Sequence, residues 1–538
     1  MNKNYLYALI PFLIAVAIRL YPYFTTGMPF STDAWSPIRN AELLLQHTPI
    51  HLGDNTVFDG YNNYWPGSSL FGAAFSLMTG FSVINAMAIG IPLTAALTIL
   101  IFYALVNKVT QSPKIAFAAS ILLATAYPYA LFTAGVTKET FTSPLLMLAI
   151  LIFLSPGTYK KITLFTIAAA TIVFSHHLTT VIALAVLTSI TLASSISRIQ
   201  QGRSLDKTKF ACLSTLTATA ILYYALYARL PLNLTPADWL TLASYQTVAF
   251  AAALYFTIKP QHHSKTKGFF TCFAAAASVF LFASLCTKIS VIPGAPILPS
   301  HYILYAAPFV LLSALIVIGA GKLRNIRREA YAAPIFWIAT LLGLEGYAFF
   351  AGPAMGLTLA SRTLNYLWPP LAILCAIGFH QLYQKAGKPR MQRLMKLTAT
   401  AALILIVSLN SYNMYASVSL QERYMGYFWL YTAPEYEAAA WTAATTNQSV
   451  AGDVKVSYLL KDYFNVKVNV DQGLKYLTDN TASPPKILFV YDQMQKNGYV
   501  LYSGISIDLA ENWTEKTSDL NLIYSNGQVK VYTGGETA

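Results

Sequence analysis

Thirteen mostly apolar stretches, most of them long enough to cross a bilayer, constrain this chain more than any other feature. They fall near residues 5–23, 82–106, 115–134, 140–155, 162–175, 178–197, 210–228, 238–258, 268–289, 301–320, 331–350, 363–383 and 394–413. A spanning helix needs about 20 such residues. The two shortest, 140–155 and 162–175, suit tilted or broken segments. Hydrophobic residues make up 55% and charged residues 11% of the 538-residue chain, against about 25% charged in soluble domains. The sequence therefore predicts a multi-pass α-helical membrane protein of about 13 spans, with a small soluble α/β domain at its C-terminal end.

The net charge of +14 is unevenly placed. From Tyr415 onward there are 9 Lys+Arg against 13 Asp+Glu; the preceding part holds 27 against 9. This excludes a nucleic-acid binder and matches the loop bias of membrane topology. With the N-terminus cytoplasmic, 21 of the 27 cations fall in inside connections. Only Arg19, Arg39, Lys138, Arg229, Lys288 and Arg362 fall outside. The predicted organisation is a transmembrane region 1–414, a large first external loop 24–67, and an extracytoplasmic domain 415–538. The first apolar stretch has no small-residue cleavage site and reads as a retained helix. The four cysteines (Cys212, Cys272, Cys286, Cys375) lie in apolar segments and read as buried thiols.

The tail changes character. PEYEAAAWTAATTN has helical spacing, VAGDVKVSYLLKDYFNVKVNV mixes a helix with strand-like ends, and KILFVYD suits a buried strand. NLIYSNGQVKVYT places two alternating runs around Asn-Gly, the signature of a hairpin.

Carboxylates of the membrane part gather outside. The first loop alone carries Asp33, Glu42, Asp54 and Asp59. Asp33 lies about ten residues past the first span, in STDAWSPIRNAELLLQH. A helix over Ser36–Gln46, apolar on one face, would hold it at headgroup level, where a partly desolvated carboxylate can take a proton from a hydroxyl. Against that stands a capping role, with Ser36 the better cap and Pro37 at the first helical position. Lys138 and Glu139 open a span in TKETFTSPLLML, with Thr137 as its cap. Lys138 suits phosphate binding. His176 and His177, in FSHHLTT, can bind a metal, move protons, or simply form a polar turn. Arg362, in LTLASRTLNYLWPPLAIL, suits bidentate phosphate contacts or snorkelling to headgroups. Glu345 lies alone within an apolar span and needs a partner or a proton.

The arrangement resembles the GT-C superfamily of integral-membrane glycosyltransferases, which includes protein O-mannosyltransferases, the aminoarabinose transferase of lipid A and oligosaccharyltransferases. The residues that carry the resemblance are STDAW with AELLLQH, YWPGSSLFGAAFSLMTG, TKETFTSPLLML, SHHLTTVIAL and SRTLNYLWPPLAIL. In the tail, PEYEAAAWTAATTNQSVAGDVKVSYLL is similar to archaeal members. The WWDYG signature of oligosaccharyltransferases and a clear Asp-x-Asp are absent, which weighs against en bloc oligosaccharide transfer and against metal dependence. The resemblance implies a glycosyltransferase that moves a sugar from a polyprenyl or dolichyl phosphate to an acceptor hydroxyl on a protein, lipid or glycan. It implies Asp33 as general base, Arg362 and Lys138 on the donor phosphate, and Glu139, His176 and His177 orienting the acceptor. Asp33, Glu139 and His176 would be the ligands of a divalent metal (Mg or Mn) if one is used. The alternative is a multi-pass transporter or lipid flippase, which would gather charge at mid-bilayer in paired broken helices.

Overall fold

The computed structural model describes residues 3–47, 61–157, 159–228, 235–258, 265–291, 295–323, 328–350, 356–384, 389–478 and 482–534. Asp54, Asp59 and Arg229 lie outside them. Each of the thirteen predicted spans coincides with helix, from Lys3–Thr26 to Pro389–Val418. Eight described helices are long and apolar enough to cross a membrane. The chain divides into two compact units, with boundaries inside the helices Lys3–Thr26, Val83–Thr110, Lys138–Phe153 and Pro389–Val418.

The first unit comprises Met1–Arg19, Leu93–Thr133 and Phe141–Met414. Its core is aliphatic and aromatic, as an all-helical membrane bundle requires. Two of its features depend on single residues. Helices Ala307–Leu323 and Gly356–Gln384 cross with backbones nearly touching: a Cβ on Gly319 would lie 1.9 Å from the Leu374 carbonyl oxygen, and one on Gly378 2.1 Å from that of Leu315. The predicted span 115–134 is two helices, Pro113–Thr125 and Tyr127–Phe132, because Pro128 interrupts it. The freed backbone groups are met by side chains. Arg19, fully buried, donates to the Ala124 carbonyl (3.3 Å) and lies over the Tyr129 ring, while Asn410 accepts the Tyr127 amide (2.9 Å). Arg19, counted above among the outer cations, thus serves the bundle interior.

The second unit comprises Leu20–Pro92, Ala134–Thr140 and Tyr415–Ala538. Its sheet has strands β1 (Val450–Ala451), β2 (Val468–Asn469), β3 (Ile487–Tyr491), β6 (Asn521–Ser525) and β7 (Val529–Thr533), in the order β2-β1-β3-β7-β6; β4 (Tyr499–Val500) and β5 (Ser506–Ile507) pair separately. β2, β1 and β3 are parallel, joined through helices Val454–Asp462 and Val470–Thr478. The expected hairpin is β6–β7, turning at Asn526-Gly527 with Gly527 at φ +89°. Helix Ala433–Thr445 has a capping box between Thr432 and Glu435 and Pro434 in its first turn.

Candidate functional site

Gly27, at φ +69°, ends the first helix and turns the chain into the loop. The next segment is pinned by backbone on two sides. The Ser31 amide donates to the Trp429 carbonyl (2.9 Å), and the Phe30 carbonyl accepts the Val136 amide (2.9 Å). Between these bonds Ser31 sits at φ +98°, ψ 138°, a conformation that a residue with a Cβ rarely adopts. Its hydroxyl accepts the Asp33 amide at 3.2 Å. Asp33 follows in the short turn Thr32–Ala34, half-buried between buried neighbours.

The helix after it runs Trp35–Gln46, two residues earlier than Ser36 capping would give. Ala34 is its N-cap, with no side-chain bond, and Ser36 and Pro37 lie inside the first turn. Its apolar face meets protein. Trp35 is fully buried, edge-on to Tyr431 (5.0 Å), stacked on Tyr436 (5.9 Å) and tilted against Tyr463 (5.5 Å). Two turns further along the same side, Glu42 accepts the Tyr463 hydroxyl at 2.9 Å. Burial raises the Glu42 carboxyl above its ordinary range, opposed by that hydrogen bond.

Lys138 and Glu139 open the helix Lys138–Phe153, capped by Thr137, whose hydroxyl accepts the Thr140 amide at 3.0 Å. Lys138 donates to the side-chain Oδ1 of Asn62, and the Asn62 side-chain Nδ2 donates to the Ser36 hydroxyl. The ammonium also lies 4.8 Å from the centre of the exposed Tyr61 ring. Glu139 is buried. Two independent links, Phe30–Val136 and Ser36–Asn62–Lys138, therefore hold the Asp33 turn beside the Lys138–Glu139 segment. A half-buried carboxylate and a half-buried ammonium on rigid supports can accept a proton and receive an anion. Trp65, which follows Tyr61 and Tyr64 in the same segment, is fully buried.

His176, His177 and Arg362 belong to the other unit. His176 caps helix His177–Gln200: its Nδ1 accepts the Thr179 amide (3.3 Å) and contacts the Thr179 hydroxyl (2.7 Å). With Nδ1 accepting, the neutral ring carries its proton on Nε2. His177 packs its ring 5.1 Å from that of His176. The Thr179 hydroxyl is shared with Tyr366 (2.6 Å) and Thr142 (2.9 Å). Tyr366 lies one turn beyond the half-buried Arg362 on helix Gly356–Gln384. Three helices thus meet at one threonine, and this gathers His176 with the Arg362 helix. Glu345 is buried, with no hydrogen-bond partner for its carboxylate among the described residues. Also among the described residues, no three His, Cys, Asp or Glu side chains group as metal ligands.

Sequence reasoning missed the network behind the loop. Tyr491 donates to Asp453 (2.6 Å) and receives the Tyr427 hydroxyl (2.9 Å). Lys455 is paired with Glu435 at 2.5 Å, both buried, and its ammonium lies 4.5 Å from the Tyr491 ring centre. The Tyr431 hydroxyl donates to the Lys455 carbonyl (2.9 Å). The one sequence signal was the number of tyrosines in the tail, beside a tryptophan two residues from Asp33.

No protein-family model matches the chain, and no curated protein matches it by sequence. Solved structures do. The oligosaccharyltransferase of Archaeoglobus fulgidus in complex with Zn and sulfate aligns at TM-score 0.58 and 15% identity, over 98% of this chain and 73% of that one. The same enzyme tethered to an acceptor peptide with an NVT sequon aligns at TM-score 0.57 and 14% identity, over 99% and 74%. The archaeal oligosaccharyltransferase AglB from A. fulgidus, in complex with an inhibitory peptide and a dolichol-phosphate, gives 0.55 and 12%, over 99% and 74%. With its apolar helices, its C-terminal sheet and this likeness over nearly its whole length, the chain has the GT-C fold and is a membrane protein.

Proposed function

We propose that the protein transfers a sugar from a polyprenyl or dolichyl phosphate to an acceptor hydroxyl on the extracytoplasmic face of the membrane, with inversion. The observation that carries this reading is the Asp33 turn: a half-buried carboxylate on a strained, doubly pinned segment beside Lys138, within a GT-C fold. Strained backbone persists where the surrounding structure enforces it, commonly at functional sites. Asp33 takes the proton of the acceptor hydroxyl. The oxygen forms a bond to the anomeric carbon on the face opposite the phosphate. The bond from that carbon to the phosphate oxygen breaks, and the lipid phosphate leaves with the electron pair. Lys138 stabilises the charge that grows on the leaving phosphate, and Glu139 orients the acceptor. Arg362 is assigned to the donor phosphate and His176, with His177, to the acceptor. Their support is the shared Thr179–Tyr366 hydrogen bonding.

The test uses the full chain in proteoliposomes with radiolabelled dolichyl-phosphate hexoses and polyprenyl-phosphate pentoses, scored for release of lipid phosphate. Asp33→Asn should lower turnover by about 100-fold or more at unchanged expression. Near-normal turnover would remove Asp33 from the base role. Movement of lipid across the bilayer with no bond made would instead favour a flippase.

A further inference from the structure

We infer that Ser31 and Trp35 are positioning residues for Asp33, and that the C-terminal domain holds the catalytic turn in its reactive geometry through them; this rests on the base role proposed above. Asp33 stands between two anchors. On its N-terminal side, Ser31 is held at φ +98° by its amide bond to the Trp429 carbonyl, while the adjoining Phe30 carbonyl is held by Val136. On its C-terminal side, Trp35 fills a closed box of Tyr431, Tyr436 and Tyr463. All four residues of the box and its occupant lie in one core cluster with the C-terminal sheet. The box is itself anchored: Tyr431 bonds the Lys455 carbonyl, and Tyr463 bonds Glu42 two turns along the helix of Trp35.

The physical case is that such a conformation does not hold itself. A residue like Ser31 costs about 1–3 kcal/mol and relaxes unless its neighbours over-determine it. The neighbours that do so are more than 390 residues away in sequence, at Trp429 and Tyr431. Without them the turn relaxes, and the Asp33 carboxylate moves by the ångström or so that costs about 100-fold in a proton transfer requiring close approach.

The test compares Trp35→Leu, Trp35→Phe and Ser31→Gly in the full chain, in nanodiscs, with the dolichyl-phosphate hexose donors. Hydrogen exchange of the Ser31, Val136 and β3 amides runs alongside. Trp35→Leu is expected to lower kcat about 10- to 100-fold with donor KM changed by less than about twofold. In it, Ser31 and Val136 lose protection while β3 keeps its own. Trp35→Phe should recover most of the rate. Ser31→Gly relieves the strain and removes the hydroxyl that holds the Asp33 amide; it should lower kcat about 3- to 10-fold. It carries the test if Trp35→Leu fails to fold. An unchanged kcat per folded molecule, or a rise in KM alone, overturns the positioning role while leaving Asp33 as base. Absence of transfer by the wild type overturns the function reading first, and this inference with it.

Discussion

Asp453 is fully buried, yet accepts hydrogen bonds from the Tyr491 hydroxyl (2.6 Å) and the Val456 and Val500 amides (2.9 and 3.3 Å). Burial wins over these bonds and raises its carboxyl from 3.8 to about 6. An acid whose folded value is raised holds its proton more tightly in the folded state. Its stabilisation is complete below about pH 4 and is lost as pH rises through 6. The shift corresponds to about 3 kcal/mol. The opening free energy of β3, read by hydrogen exchange, should fall by about that amount between pH 4 and 7 in the wild type relative to Asp453→Asn. Equal pH dependence in the two proteins would contradict the assignment. The neighbouring Lys455–Glu435 pair has no such freedom: removing either partner alone strands a buried charge.

At the scale of elements, the crossing of Ala307–Leu323 on Gly356–Gln384 has no room for a methyl group at either glycine. In a bilayer, where lipid tails are as apolar as leucine, close backbone contact is what binds such helices. Gly378→Ala should destabilise the bundle by about 1–3 kcal/mol, seen as a lower midpoint of thermal unfolding in detergent, and Gly378→Leu should abolish folding. A midpoint unchanged in Gly378→Ala would show that the helices separate without cost. The elements themselves were largely legible in the sequence. Apolar length located the thirteen helical stretches, Thr137 capped its helix, and Asn526-Gly527 turned its hairpin. What periodicity could not show was the partner of an apolar face. The helix Trp35–Gln46 has the pattern of a surface helix resting on lipid, and it buries that face against Tyr431, Tyr436 and Tyr463. One stripe of apolar residues looks the same whether lipid or protein covers it. Only tertiary pairing across 400 residues distinguishes the two. For the same reason the sequence offers Asp33 and Lys138 as single candidates and gives no sign of the contacts that Ser31, Asn62 and Trp35 make around them.

For the whole molecule, the distribution of cations along the sequence predicts an outer position for the C-terminal domain. A thiol at Asn447, which is exposed in the loop before β1, tests this. Asn447→Cys in intact cells should react with a membrane-impermeant maleimide, while Cys212 and Cys375, both buried, should not. Labelling only after the membrane is opened would reverse the orientation. The pinning of Phe30 and Ser31 also bears on how the protein is made. The ribosome delivers the Asp33 loop early and its supports, Trp429 and Tyr431, some 400 residues later. At about 5–20 residues per second, that interval is roughly 20–80 s. Until it has passed, the nascent chain carries its acid on an unsupported tether, so a polypeptide released short of its last domain is silent rather than half-active.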